Sequence, residues 1–265
     1  MEKKYELLTS DTKEFLGRKL FRVKALRSFG NVKAGDLGGY IEKEETLSHE
    51  GNAWIYGDAR ICDNARIYGD ARIYGDAEVC DNARIYGDAE VCGNARIYGD
   101  AEVCGNAWIY GDAEVCGNAR IYGDAEVYGD ARIYGDAEVC DNAWIYGDAE
   151  VCGNARIYGD AGVCDNARIY GDAEVYGDAR IYGDAEVCGN ADYLYFKGLG
   201  SCNRSTTFFK CKDGNIGVKC GCFSGSLSDF EAKVKETHGD SKYAREYLKA
   251  VEIVKIHFEL EEDAS

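Results

Sequence analysis

Residues 55–78 read I-Y-G-D-A-R-I-C-D-N-A-R-I-Y-G-D-A-R-I-Y-G-D-A-E, with an aliphatic residue at every sixth place. The same phase runs without insertion from Ile55 to Val187. Self-similarity of fixed short period marks a stacked architecture in which each repeat is one structural unit. In a strand such as Arg60-Ile61-Cys62 side chains alternate, so Ile61 points inward and its neighbours outward. The next two residues are always Gly-Asp, Gly-Asn or Asp-Asn, types that tolerate left-handed backbone at a corner. The Ala that follows is small enough for the interior beside that corner. The hexad therefore predicts a core of stacked Ile, Val and Ala, and an Ala→Asp change there should break the local coil.

The pairing of an aliphatic residue with a small one four places on (Ile55/Ala59, Ile61/Ala65, Ile67/Ala71 and onward) resembles the hexapeptide-repeat family. That resemblance implies a mainly β fold, a left-handed parallel β-helix with three hexads in each 18-residue coil and about eight coils in all. The chain then divides into an N-terminal β cap (1–50), the β-helix (51–192) and a small C-terminal ββαα module (193–265).

Reading at 18-residue spacing sorts the outward residues into three faces. The first carries Arg60, Glu78, Arg96, Glu114, Arg132, Glu150, Arg168 and Glu186; the second carries Arg66, Arg84, Glu102, Arg120, Glu138, Arg156 and Glu174. Alternating charge on neighbouring strands predicts two salt-bridge ladders, each pair worth about 0.2–1 kcal/mol. The third face reads Trp54, Arg72, Glu90, Trp108, Glu126, Trp144, Gly162, Arg180, and holds all three Trp of the chain. Beside it run Tyr56, Tyr74, Tyr110, Tyr128, Tyr146 and Tyr182. An exposed aromatic stripe suggests an interface. The candidate interaction residues are Trp54, Trp108, Trp144, Tyr110, Tyr128 and Tyr146, facing a protein partner, a second copy of the chain, or the chain's own C-terminal segment.

The ends depart from the repeat. Lys19–Leu26 alternates as a strand does, and residues 29–41 have the Gly and Asn density of tight turns. Ile41 and Leu47 are six apart, a degenerate first coil. Capping a stacked sheet prevents edge-to-edge association. After Asp192, residues 206–212 and 216–223 read as a hairpin around Asp213-Gly214-Asn215. Ser228-Asp229-Phe230-Glu231 reads as a capping box opening a helix to about Thr237. A longer helix follows from Asp240 or Ser241 to about Glu259, with Tyr247, Val251, Val254 and Phe258 on one side.

The run A-L-R-S-F-G-N-V-K-A-G-D-L-G-G-Y-I-E (25–42), with L-S-H-E-G-N-A-W-I-Y-G-D-A (47–59), looks like bacterial and prophage hexapeptide-repeat proteins of the YdcK type. These are grouped with transferases by fold alone. The tail from Thr206 through His257 resembles a module appended to prophage-encoded proteins of Gram-positive bacteria.

Composition narrows the function. The chain has 265 residues, no Pro and a formal net charge of −17. Residues 51–192 hold 10 Arg against 19 Asp and 9 Glu, so the acidity resides in the repeats. No apolar leader or bilayer-length stretch is present, and nine of the 13 Cys follow the hexad phase. They are read as reduced thiols of a cytoplasmic protein. Cys202, Cys211, Cys220 and Cys222 lack the paired spacing of a structural zinc site, so no metal or cofactor is expected.

Acyl transfer, which the family resemblance implies, uses a His base on the coils and loops extruded between them. Here the only His are His49, His238 and His257, outside the hexads, and no loop interrupts them. A general base must lie within hydrogen-bond reach of its proton, so the expectation is a non-enzyme with no catalytic residue. An ice-binding face would need Thr ladders, and the hexads contain no Thr. One alternative is an acidic decoy for a nucleic-acid-binding protein. Eight coils at about 4.8 Å carry roughly one net charge per 2 Å, close to the ~1.7 Å of duplex DNA. Direct nucleic-acid binding is not expected of so acidic a rod. The leading expectation is a non-catalytic scaffold that presents the aromatic face and its end domains.

Overall fold

The computed structural model describes residues 2–260. Each hexad forms one two-residue strand, from Trp54–Ile55 to Glu186–Val187. Every such strand lies parallel to the strand 18 residues away, Arg60 beside Glu78, Arg84 beside Glu102, Trp108 beside Glu126. The result is a parallel β-solenoid of about eight turns. Its third face is an eight-stranded sheet and its second a seven-stranded one. Its first face continues into three cap strands to make eleven.

The stack satisfies its own backbone. The amides of Arg60, Cys62 and Asn64 donate to the carbonyls of Ala77, Val79 and Asp81 at 2.9, 3.0 and 2.7 Å, and the pattern recurs up the rod. Each coil is thus the hydrogen-bond partner of the next, as buried peptide groups require. Inside, the aliphatic residue of each hexad (Ile61, Val79, Ile97, Val115) and the Ala that follows are fully buried, and each Ile or Val stabilises by about 1.5–3 kcal/mol. Ala125, with no accessible surface, has no room for the carboxylate of an Ala125→Asp change.

From Gly57 to Gly183 the first corner residue has positive φ, 71° at Gly105 and about 60° at Asp63, Asp81, Asp141 and Asp165, and only the last, Gly189, is extended. Asp is tolerated because it finds a local partner. The carboxylates of Asp81, Asp141 and Asp165 accept the backbone N–H of Gly99, Gly159 and Gly183, one coil on, at 2.9, 3.1 and 3.3 Å. The second corner residue builds another ladder. Asn94, Asn106, Asn118, Asn142 and Asn154 each donate a side-chain amide to the Asp 18 residues later, at 2.8–2.9 Å.

The charge ladders form in part. On the second face Arg84 meets Glu102 at 2.7 Å, and Arg156 lies within 3.7 Å of both Glu138 and Glu174. On the first face Arg60 pairs with Glu78 and Arg168 with Glu150. There the Tyr98 and Tyr134 hydroxyls also donate to Glu78 and Glu150. The outward Tyr of neighbouring coils therefore compete with Arg for the carboxylates, which alternation of charge alone did not anticipate.

The reading of the hexad cysteines as reduced thiols needs correction at one pair. Cys62 and Cys80 are joined by a disulfide across the first face, their Cα atoms 4.8 Å apart. The cause is spacing. These two are the repeat cysteines that sit 18 residues apart, whereas elsewhere a Tyr separates the thiols of one column. Their pair is buried with Leu20 and Tyr40 of the cap, and Phe15 packs on it.

At the N-terminus, Tyr5–Phe15 pairs antiparallel with Arg18–Ala25, which pairs antiparallel with Leu37–Ile41. Ile41 then lies parallel to Ile61, and Leu47 bridges Ile67, so the degenerate first coil is present. Lys4 is buried in this cap and donates to the Ala53 carbonyl at 2.9 Å. Burial first, and Arg27 second, bring its pKa down to about 8.

The C-terminal module has four antiparallel strands, Tyr193–Leu199, Arg204–Lys210, Ile216–Cys220 and Phe223–Ser226, in that order across the sheet. The expected ββαα is thus corrected to four strands and two helices. Helix α1 (Leu227–His238) is capped by Ser226, which accepts from the Asp229 amide, rather than opening at Ser228. Helix α2 (Lys242–His257) is capped by Ser241. Tyr247, Val251 and Val254 pack with Phe208 and Phe230 in a separate small core, with Phe258 against it. A bridge between Ala185 and Cys211 ties this module to the last coil.

Candidate interaction face

The parallel register brings the third-face residues into one column, and the surroundings of the three Trp then differ. Trp54 is 1% exposed. Its indole lies edge-on to Phe29, 5.4 Å between ring centres, and also meets Tyr5. Gly38 makes room for it, since a Cβ there would lie 2.8 Å from the ring. Trp54 is therefore a cap anchor rather than part of an open face, and the expectation that it offers an interaction surface is corrected. The cause is the cap itself, folded over the first coil.

Trp144 is half-buried. Its ring lies beside Gly162, where a Cβ would stand 3.2 Å away. The Arg180 guanidinium sits 5.2 Å from the ring centre. Gly162 is the sole Gly at its hexad position, and its missing side chain leaves space for both neighbours. On the other side Trp144 stacks on Tyr146 at 5.6 Å. Trp108 has no such cover and is 51% exposed.

Tyr110, Tyr128 and Tyr146 form a near-parallel stack at 4.8 and 5.0 Å, half-buried along one side of the Trp column. Burial pushes all three phenols above their ordinary pKa. Burial also raises the Cys164 thiol, next in that column, to about 12. The C-terminal module reaches the far end of this face. Lys219 lies over Tyr182 at 4.4 Å, and Thr207 accepts the Arg180 amide at 3.0 Å. The cap covers one end and the C-terminal sheet the other. Between them Trp108, Glu126, Tyr110, Tyr128 and Tyr146 form a strip with Trp144 at its margin.

The three His are each engaged. His49 stacks on Tyr5 and contacts Glu44 at 2.8 Å. His238 stacks on Tyr247, and His257 reaches the Ala191 carbonyl. Among the described residues, the group of potential metal ligands brought together is Cys62, Asp63 and Cys80, and its two thiols are spent on one another. Sequence reasoning missed that pair, the corner Asn ladder and the role of Gly162. For each a signal existed at a spacing of 18.

A family model described as YdcK Beta solenoid repeat matches residues 59–75 and 65–80. No curated protein matches the chain. The matched stretch is where the first full coils begin, and the same hexad and register continue beyond it to Val187. No helix among the described residues is long and apolar enough to cross a membrane.

Proposed function

From a chain whose rod is a β-solenoid of YdcK-type repeats, we propose a non-catalytic role: a rigid scaffold that binds a protein through the open strip of its third face. The observation that carries this reading is the exposure of Trp108 on an otherwise register-locked, loop-free rod. Large exposed aromatics clustered on one face are typical of binding surfaces, and Trp and Tyr carry much of the energy of such contacts. Chemistry on the coils has less support, because no His lies in the hexads and fold likeness alone is no argument for an activity. The decoy reading is also weaker than charge density suggested. Many corner carboxylates are engaged in Asn and backbone ladders that explain them locally.

The test is affinity capture from a bacterial lysate with three baits. These are the full chain, a Trp108→Ala/Trp144→Ala variant, and a variant lacking the single coil 150–167, which keeps Trp108, Glu126 and the Tyr110–Tyr146 stack but removes Gly162 from beside Trp144. The full chain and the coil deletion should retain the same bound protein, and the double variant should lose it. Equal capture by all three, or acyl transfer abolished only by deleting a particular coil, would reject the scaffold reading.

A further inference from the structure

Trp108 and Glu126 are adjacent on neighbouring coils, and Glu126 is itself flanked by Trp144 on the next. Both Trp108 and Glu126 are exposed. One other carboxylate of this face, Glu90, and two of its rings already have cationic partners. Arg72 pairs with Glu90 at 2.7 Å, Arg180 covers Trp144, and Lys219 covers Tyr182. Among the described residues, Glu126 makes no salt bridge and Trp108 has no cation over its ring. Elsewhere on this face, then, a cation meets either a carboxylate or a ring, while Trp108 and Glu126 are a ring and a carboxylate side by side with neither taken.

Resting on the reading of the third face as an interaction surface, we propose that this strip recognises an arginine side chain in a basic segment of a partner protein. The guanidinium would stack on Trp108 and donate to Glu126. Arg suits this better than Lys, because its planar fork both stacks on an aromatic face and forms paired hydrogen bonds to a carboxylate. The net charge of the repeats adds a long-range attraction for a basic segment. The corner carboxylates Asp130 and Asp148 lie near the strip, but they share a shallow cleft with Arg132 and Arg168. The specific contact is therefore assigned to Trp108 and Glu126.

The probe is a capped hexa-arginine peptide, titrated calorimetrically against the full chain at low salt, with hexa-lysine for comparison. Trp108→Ala and Glu126→Gln should each weaken hexa-arginine binding about five- to tenfold, the range a desolvated cation–π contact or a charge-assisted pair supplies. Glu114→Gln, an equal charge change on the first face, should weaken it less than about twofold, and hexa-lysine should bind more weakly than hexa-arginine. No binding by the unmodified chain would overturn the proposal. So would equal weakening by Glu114→Gln and Glu126→Gln, which would mark diffuse attraction to a polyanion. Sedimentation equilibrium supplies the remaining control. A dimer that Trp108→Ala dissociates would show that a second copy occupies the strip, overturning the arginine proposal while leaving the interaction-face reading intact.

Discussion

Asp192 is the residue on which the repeat ends. Its carboxylate accepts the thiol and amide of Cys188, the amide of Gly189 and the ammonium of Lys210, at 2.9, 3.0, 3.1 and 2.6 Å. Burial acts to raise its pKa, but the hydrogen bonds from Cys188 and Lys210 outweigh it and hold the carboxyl at about 2. A carboxyl depressed on folding contributes stability above its unfolded pKa of about 3.9, and that contribution is lost as pH falls toward the folded value. Asp192→Asn should therefore cost about 2 kcal/mol at pH 7, with the difference from the unmodified chain closing between about pH 4 and pH 2. Urea unfolding at pH 7, 4 and 2 measures this; a difference independent of pH would refute the ion-pair account. The corners make a related point about single residues. At Gly105 both the positive φ and a Cβ position 2.8 Å from the Gly123 carbonyl disfavour a side chain. Asp81 survives at a like corner because its carboxylate caps the next coil.

At the scale of elements, the hexads were legible because burial, corner chemistry and register share one period. The ends were less so, for physical reasons. Tyr5–Phe15 contains T-S-D-T-K, is half exposed and bulges between Leu8 and Thr12, so its alternation is blurred. Phe223–Ser226 reads F-S-G-S, turn-like by composition, and is a strand because Ile216–Cys220 offers an edge to pair with. The three Trp looked equivalent because 18-residue spacing reports the column and not its cover. Gly38, Gly162 and Arg180, which decide that cover, lie in the cap or one to two coils away.

The Cys62–Cys80 bond likewise ties the first two coils beneath the cap. In the chain-entropy view, closing a loop of this length contributes about 3 kcal/mol. Thiol titration of the unfolded, unreduced chain should find 11 free thiols of 13, and Cys80→Ser should raise the count to 12. Thirteen thiols in the unmodified chain would contradict the bond. Adding reductant should lower the unfolding midpoint of the unmodified chain and leave that of Cys80→Ser unchanged.

The whole molecule is a rod whose coils touch only their neighbours, so stability should be close to a sum of coil and interface terms. The charge columns add a constraint, because their period is two coils. Removing one coil within residues 96–167 juxtaposes like charges on the first and second faces, whereas adding two there keeps both of those columns alternating. Duplicating residues 114–149 in place preserves Glu114–Arg132, Arg120–Glu138 and Glu126–Trp144 as neighbours, and so repeats the stack without a mismatch. Small-angle scattering of this longer chain tests the account of an extensible, loop-free scaffold most directly. The longest dimension should grow by about two coil rises, roughly 10 Å, with the cross-section unchanged. An expanded, unfolded profile, or growth in cross-section at constant length, would contradict it.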